Sequence, residues 1–265
     1  MCDAAIAGQV LLHEQDGIAR LTLHAPGRKN AMSVAMWRQL RDLVHACVGR
    51  TSVRVLVIAG AAKDFCAGAD ISEFAQVRHD RESGETYHED IIRPALQALL
   101  DCKFPVLAAI RGHCVGGGLE IAACCDLRVS EDSAQFGVPV LYRGFPLAPF
   151  EMACVMAAFG KAATMQLLLQ GNLIDAGQAQ RLQLVQEVVP SAQFDARINA
   201  LAARLASAAP IAVAGAKRMA RSLAPMVSSL SLPEQDSFYA FLDSSDYREG
   251  IAAFLEKRAP KFTGS

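Results

Sequence analysis

The stretch Pro105-Val106-Leu107-Ala108-Ala109-Ile110-Arg111-Gly112-His113-Cys114-Val115-Gly116-Gly117-Gly118-Leu119-Glu120 decides the reading of this chain. Pro105 to Ile110 reads as a buried strand, too short and too apolar for a surface helix. A glycine-rich turn follows, and a helix opens near Gly117 and runs to about Cys125. Three consecutive glycines are costly inside a regular element, roughly 0.5–1 kcal/mol each relative to alanine. They therefore mark a tight turn or a place where a ligand approaches the backbone. Glu120 falls about one turn into the helix. It is either a carboxylate placed to suit the helix dipole or a general acid/base beside that turn.

The same strand–turn–helix grammar recurs upstream. Val53 to Ile58 (VRVLVI) is a buried strand candidate ended by Ala59-Gly60, and Phe65-Cys66-Ala67-Gly68-Ala69-Asp70-Ile71 follows it. The small residues 67–69 leave room for a ligand, and a free backbone N–H there suits an anion or a carbonyl. Read alone, the segment is equally an ordinary turn with Asp70 or Ser72 as helix cap. Nearer the N-terminus, Val10–Leu12 and Ile18–Leu23 flank Asp16-Gly17, a hairpin signal. Ser33 is a candidate N-cap for a helix through Trp37, Leu40, Leu43, Val44 and Cys47. Residues 78–90 are polar and charged, which predicts an exposed loop or solvated helix, and Ile91–Leu100 reads as a helix.

Short strands are expected at Leu127–Val129 and Val185–Val189, and only helical periodicity from Ser191 onward. Strands alternating with helices define an α/β core. The expected division is 1–195 for this core and 196–265 for a helical C-terminal module.

Composition removes several classes of function. The chain has 265 residues, of which 52% are hydrophobic and 20% charged, which predicts a large buried core. Lys plus Arg is 26 against 27 for Asp plus Glu, with no basic run, which argues against a nucleic-acid partner. Eight cysteines without a C-x-x-C pair fit a reducing, cytoplasmic setting. No signal peptide and no unbroken apolar run of membrane length is apparent. The chain lacks G-x-S-x-G, a P-loop and H-E-x-x-H, and its six histidines show no metal-ligand spacing.

Ala67-Gly68-Ala69-Asp70 and Gly116-Gly117-Gly118-Leu119-Glu120, about 50 residues apart, together resemble the crotonase family of enoyl-CoA hydratases and isomerases. The resemblance spans nearly the whole chain. Residues 28–31 (RKNA), 125–128 (CDLR), 134–137 (AQFG), 160–163 (GKAA) and 245–258 (SDYREGIAAFLEKR) carry it further. It implies a β/α spiral core with a C-terminal helical trimerisation module, assembled as a homotrimer or a hexamer of paired trimers. It implies an acyl-CoA substrate, coenzyme A being part of that substrate, with no further cofactor, no metal and no membrane or nucleic-acid partner. The backbone amides of Ala69 and Gly117 match the family's oxyanion hole, and Glu120 its acid/base. Arg28, Ala67, Asp70, Ile71 and Ser72 match the lining of the coenzyme A arm. Phe254 matches an aromatic near the acyl pocket. Lys257 matches a lysine that reaches the coenzyme A nucleotide from a neighbouring subunit.

One departure stands out. Family hydratases hold a water between two glutamates, and the second follows the AQFG segment by three residues. Here that position is Val140, which neither accepts nor donates a proton. Residues 144–149 (GFPLAP) also replace a more glycine-rich stretch. Hydration of a trans-2-enoyl-CoA is the leading expectation. Isomerisation or decarboxylation using Glu120 alone, and acyl-CoA binding without turnover, are the alternatives. Tyr142, Arg143, His113 and Glu151 lie close by in sequence, but nothing in the sequence singles out any of them as a replacement.

Overall fold

The computed structural model describes residues 8–223 and 239–263. Strands β1 (Gln9–Gln15) and β2 (Ile18–His24) form the expected hairpin. Asp16 and Gly17 both take positive φ (51° and 79°) at its turn, the geometry a two-residue hairpin loop needs. Helix α1 (Val34–Val48) starts at Ser33, whose hydroxyl accepts from the Met36 amide, and buries Met36, Trp37, Leu40, Val44 and Cys47. Strand β3 (Val55–Gly60) is followed by a 3-10 turn (Ile71–Glu73), α2 (Phe74–Val77) and α3 (Arg81–Thr86). A π turn (Tyr87–Ile92) leads into α4 (Arg93–Leu100).

The next two turns repeat this plan. They are β4 (Val106–Ile110), β5 (His113–Val115) and α5 (Gly117–Ala123), then β6 (Leu127–Glu131), β7 (Gln135–Gly137) and α6 (Pro149–Gln170). After them come β8 (Ile174–Asp175), α7 (Ala176–Arg181), β9 (Glu187–Val189), α8 (Ser191–Ala206), α9 (Pro210–Leu223) and α10 (Ser245–Leu255).

The strands form a six-stranded sheet in the order β1-β2-β3-β4-β6-β9, parallel except for the hairpin, and a small sheet β5-β7-β8. Each turn of chain runs a strand of the large sheet, then a short extended piece in the second layer, then a helix. In the first two turns that piece is reduced to single bridges, Met32 with Ala69 and Cys66 with Cys114. The AGAD and GGGLE segments therefore occupy equivalent places in neighbouring turns of one spiral, which explains their spacing in sequence.

Residues 55–58 (VLVI) are apolar throughout because both faces of β3 are covered. Leu56 and Ile58 point into the main core, while Val55 and Val57 join Phe194, Ile198 and Ala202 of α8 in a second core on the other face. The expected boundary at 195/196 thus falls inside α8, a helix packed on the sheet. Leu242, Tyr247 and Ala253 of the C-terminal segment are also buried, Leu242 and Tyr247 within the main core.

One further expectation needs correction. Residues 78–90 are largely helical with an exposed face, as the sequence allowed, but they are not solvated throughout. Arg78, Tyr87 and His88 are only 2%, 1% and 6% exposed. A Cβ on Gly84 of α3 would lie 2.3 Å from Leu242 Cδ1, so this polar helix is pressed against the C-terminal segment. Helix α6 is, among the described residues, long and apolar enough to cross a membrane by composition, at 22 residues and a mean hydropathy of 1.5. It breaks at Gly160 (φ 78°), and Cys154, Val155, Phe159, Ala163, Leu167 and Leu168 pack into the core.

Candidate active site

The segment after β3 and the turn before α5 are stitched side by side. The Cys66 amide donates to His113 O at 2.8 Å, and the Val115 amide donates to Cys66 O at 3.0 Å. From the other flank the Met32 amide donates to Gly68 O at 2.7 Å. The glycines permit this closeness. Gly116 has φ 50° and ψ −118°, which side-chain-bearing residues rarely adopt. A Cβ on Gly118 would meet Cys66 O at 2.4 Å. As a result the Ala69 and Gly117 amides converge, and a Cβ placed on Gly117 would lie 3.5 Å from the Ala69 nitrogen. Among the described residues neither amide donates a hydrogen bond.

These amides open onto a cavity of about 310 Å³. Its walls include Ala69, Gly117 and Glu120, and also Arg28, Ala67, Asp70, Ile71, Ser72 and Phe254. Nine of the ten residues singled out from sequence are therefore brought together. Lys257 is not among them. It sits exposed just past the end of α10, with φ 55°.

Asp70 is committed to structure. It pairs with the Arg28 guanidinium, and its Oδ1 accepts from the Ser72 amide (3.2 Å) and hydroxyl (2.6 Å). Phe254 is partly exposed and lies under the Arg143 guanidinium, 4.7 Å from ring to cation. Val140 lines the cavity as an apolar wall, together with Phe145, Pro146, Leu147 and Ala148 of the altered loop.

Glu120 is 5% exposed. Burial, and next the charge of Glu151, hold its carboxyl well above the ordinary 4.5, with Arg78 pulling the other way. The sequence reading named Glu151 without choosing it and missed His88 and Arg78; all three line the same cavity. Glu151 sits in the first turn of α6, where Oε1 lies 2.7 Å from His88 Nδ1. Burial keeps His88 below its usual range, with Glu151 opposing that and Arg78 adding to it.

Arg78 is sandwiched between aromatic rings, 4.4 Å from Phe74 and 4.6 Å from Phe145, with Tyr247 at 5.3 Å. Such contacts partly replace the water a buried cation loses. Of the other nearby candidates, His113 is held by Asp64 (2.7 Å) and Tyr142 by Leu169 O (3.0 Å), and neither lines the cavity.

The spiral of strand, short strand and helix is the crotonase fold, and the chain is an enzyme of that class. It belongs to the enoyl-CoA hydratase/isomerase family, whose profile it matches over residues 13–265. The 2,3-dehydroadipyl-CoA hydratase of Escherichia coli K12 is 32% identical over 258 residues, 97% of this chain and 99% of that protein. A crystal structure described as an enoyl-CoA hydratase/carnithine racemase from Magnetospirillum magneticum superposes with a TM-score of 0.80 at 40% identity, covering 97% and 96% of the two chains. A methylmalonyl-CoA decarboxylase shares the fold, with a TM-score of 0.86 at 23% identity and coverage of 97% and 99%.

Proposed function

We propose that this enzyme hydrates a trans-2-enoyl-CoA by way of an enolate, with Glu120 as acid/base and the Ala69 and Gly117 amides as the oxyanion hole. The observation that carries this reading is the pair of converging, unengaged amides at the rim of a cavity that also holds Glu120. Enolate formation moves negative charge onto the thioester oxygen, and fixed donors aimed at that oxygen stabilise the transition state. Removing one such donor typically costs roughly 10²–10³ in rate. Arg28, Ala67, Asp70, Ile71, Ser72 and Phe254 line the side from which the coenzyme A arm enters. Lys257, exposed in the single chain, reaches the nucleotide end of a neighbour's substrate when the subunits assemble as a homotrimer or hexamer. The named E. coli relative, a hydratase of an enoyl-CoA, supports the reaction class. Seven described cysteines are buried free thiols, which fits a reducing cytoplasm.

A second reading is favoured by one observation, the apolar Val140 wall. With Glu120 as the sole proton carrier, the enzyme would shift a double bond or quench the enolate left by decarboxylation. Incubation of trans-2-enoyl-CoA with the wild type and with Glu120→Gln separates the two. Formation of 3-hydroxyacyl-CoA by the wild type and its loss in the variant, with acyl-CoA binding intact, is the expected result. A double-bond isomer as the sole product would overturn hydration in favour of the second reading.

A further inference from the structure

Val140 leaves one wall of the cavity without a carboxylate, yet a second carboxylate enters from another element. Glu151 is 1% exposed, lines the cavity together with Glu120, and among the described residues has no hydrogen-bond partner for its Oε2. Its other oxygen is fixed by His88, which comes from the π turn between α3 and α4. An unfilled oxygen on a buried carboxylate is expensive. It calls for a reason of its own, and a catalytic role is one of the few on offer.

We propose that Glu151, oriented by His88, is the second acid/base residue of this site and takes the place of the glutamate missing at position 140. The inference rests on the enolate reading above and deepens it. The surroundings divide the labour between the two carboxyls. Burial, and next the charge of Glu151, raise the Glu120 carboxyl, which suits it to give a proton. Glu151 Oε1 lies 2.7 Å from His88 Nδ1, where an Nδ1–H would fix that oxygen. Arg78 feels Glu151 more strongly than it feels Glu120. Glu151 also lies in the first turn of the 22-residue α6, where the helix dipole favours a negative charge.

Hydration then balances. Glu151 takes a proton from water as the water oxygen bonds to Cβ. The alkene π electrons shift through Cα onto the thioester oxygen, which the two amides hold. Glu120 gives its proton to Cα as the enolate collapses. One water has been added, and the carboxyl pair still carries one proton, now on Glu151 and returned to Glu120 through solvent.

The test compares Glu151→Gln with Glu120→Gln in two assays. One is hydration of a trans-2-enoyl-CoA. The other is deuterium exchange at Cα of the saturated acyl-CoA in D2O, which uses Glu120 and the amides alone. Glu151→Gln keeps an oxygen for His88 to donate to. It is expected to lower kcat for hydration roughly 10²–10⁴-fold while Cα exchange stays at or above the wild-type rate, because loss of the Glu151 charge frees Glu120 to act as base. His88→Ala is expected to lower kcat for hydration roughly 10–100-fold by loosening Glu151, and His88→Asn, whose amide donates from nearly the Nδ1 position, to restore most of it.

Hydration by Glu151→Gln within about threefold of wild type overturns the proposal. So does equal loss of hydration and Cα exchange, which would make Glu151 a mere support for Glu120. If Glu151→Gln does not fold, Glu151→Asp decides, because its carboxylate is withdrawn by one methylene. Hydration at least tenfold slower with exchange retained upholds the role, and wild-type hydration overturns it. Retention of both activities by Glu120→Gln would instead sink the enolate reading itself.

Discussion

At Glu120, chemistry and stability pull in opposite directions. Its carboxyl is raised well above the ordinary value by burial and by Glu151. Folding therefore takes up a proton at any pH between the unfolded and folded pKa values, and the cost grows as pH rises through that window. Glutamine is neutral at every pH. Glu120→Gln is thus expected to melt at the wild-type temperature in acid, below the ordinary carboxylate range, and at a higher temperature as pH rises toward neutrality and beyond. A melting temperature that falls relative to wild type with rising pH would contradict the assignment of Glu120 as a buried acid. Turnover should fall roughly 10²–10⁴-fold in the same variant.

Glu120, Ala69 and Gly117 were legible in the sequence because small residues beside a carboxylate leave a local signature. Glu151, His88 and Arg78 were not. Each is a lone polar residue in its own segment, and only the fold brings three distant pieces of chain to one cavity. No periodicity marks a histidine that will be buried against a glutamate 63 positions later.

Among the elements, α5 is the one whose placement the site depends on most. Its first turn lies against Cys66 with no room for a side chain, since a Cβ at Gly118 would meet Cys66 O at 2.4 Å and Cys66 Cβ at 2.9 Å. Gly118→Ala must push α5 away from the 66–70 segment. Overpacking of this kind typically costs about 1–3 kcal/mol, and the two amides would no longer converge. The expected result is a lower denaturation midpoint together with a loss of turnover larger than the loss of acyl-CoA binding. Wild-type activity in this variant would show that the close contact does not set the amide geometry.

The hairpin, α1, β3, β4 and α5 were readable from turn residues and apolar runs. The second-layer strands β5 and β7 were not, because three residues such as His113-Cys114-Val115 carry no periodicity and exist as strands only through pairing with the next turn. The segment 78–90 misled for a different reason. Its burial comes from Gly84 packing on Leu242 and from the aromatic box around Arg78, neither of which a polar composition reveals.

For the whole molecule, α8 and α9 part ways. Helix α8 closes the second core on the sheet, whereas no residue of α9 is buried and Ile211, Met219 and Leu223 are 89%, 59% and 75% exposed. Lys217 ties α9 to the body of the chain through Phe104 O (2.9 Å) and Asp126 (2.5 Å). The expected homotrimer or hexamer would cover this apolar face. Light scattering should then give three or six times the chain mass, and Ile211→Asp should lower it. A wild-type monomer at micromolar concentration would remove the proposed role of Lys257 on a neighbour's substrate.

The central claim, that this site forms an enolate and adds water to it, is tested most directly by the mass of the product in D2O. A trans-2-enoyl-CoA is incubated with wild type, with Glu120→Gln and without protein, and the thioester is weighed by mass spectrometry. The account predicts a gain of one whole D2O in the wild type, absent from the other two. Deuterium incorporated without the added oxygen, or a thioester left unchanged by the folded wild type, would contradict it.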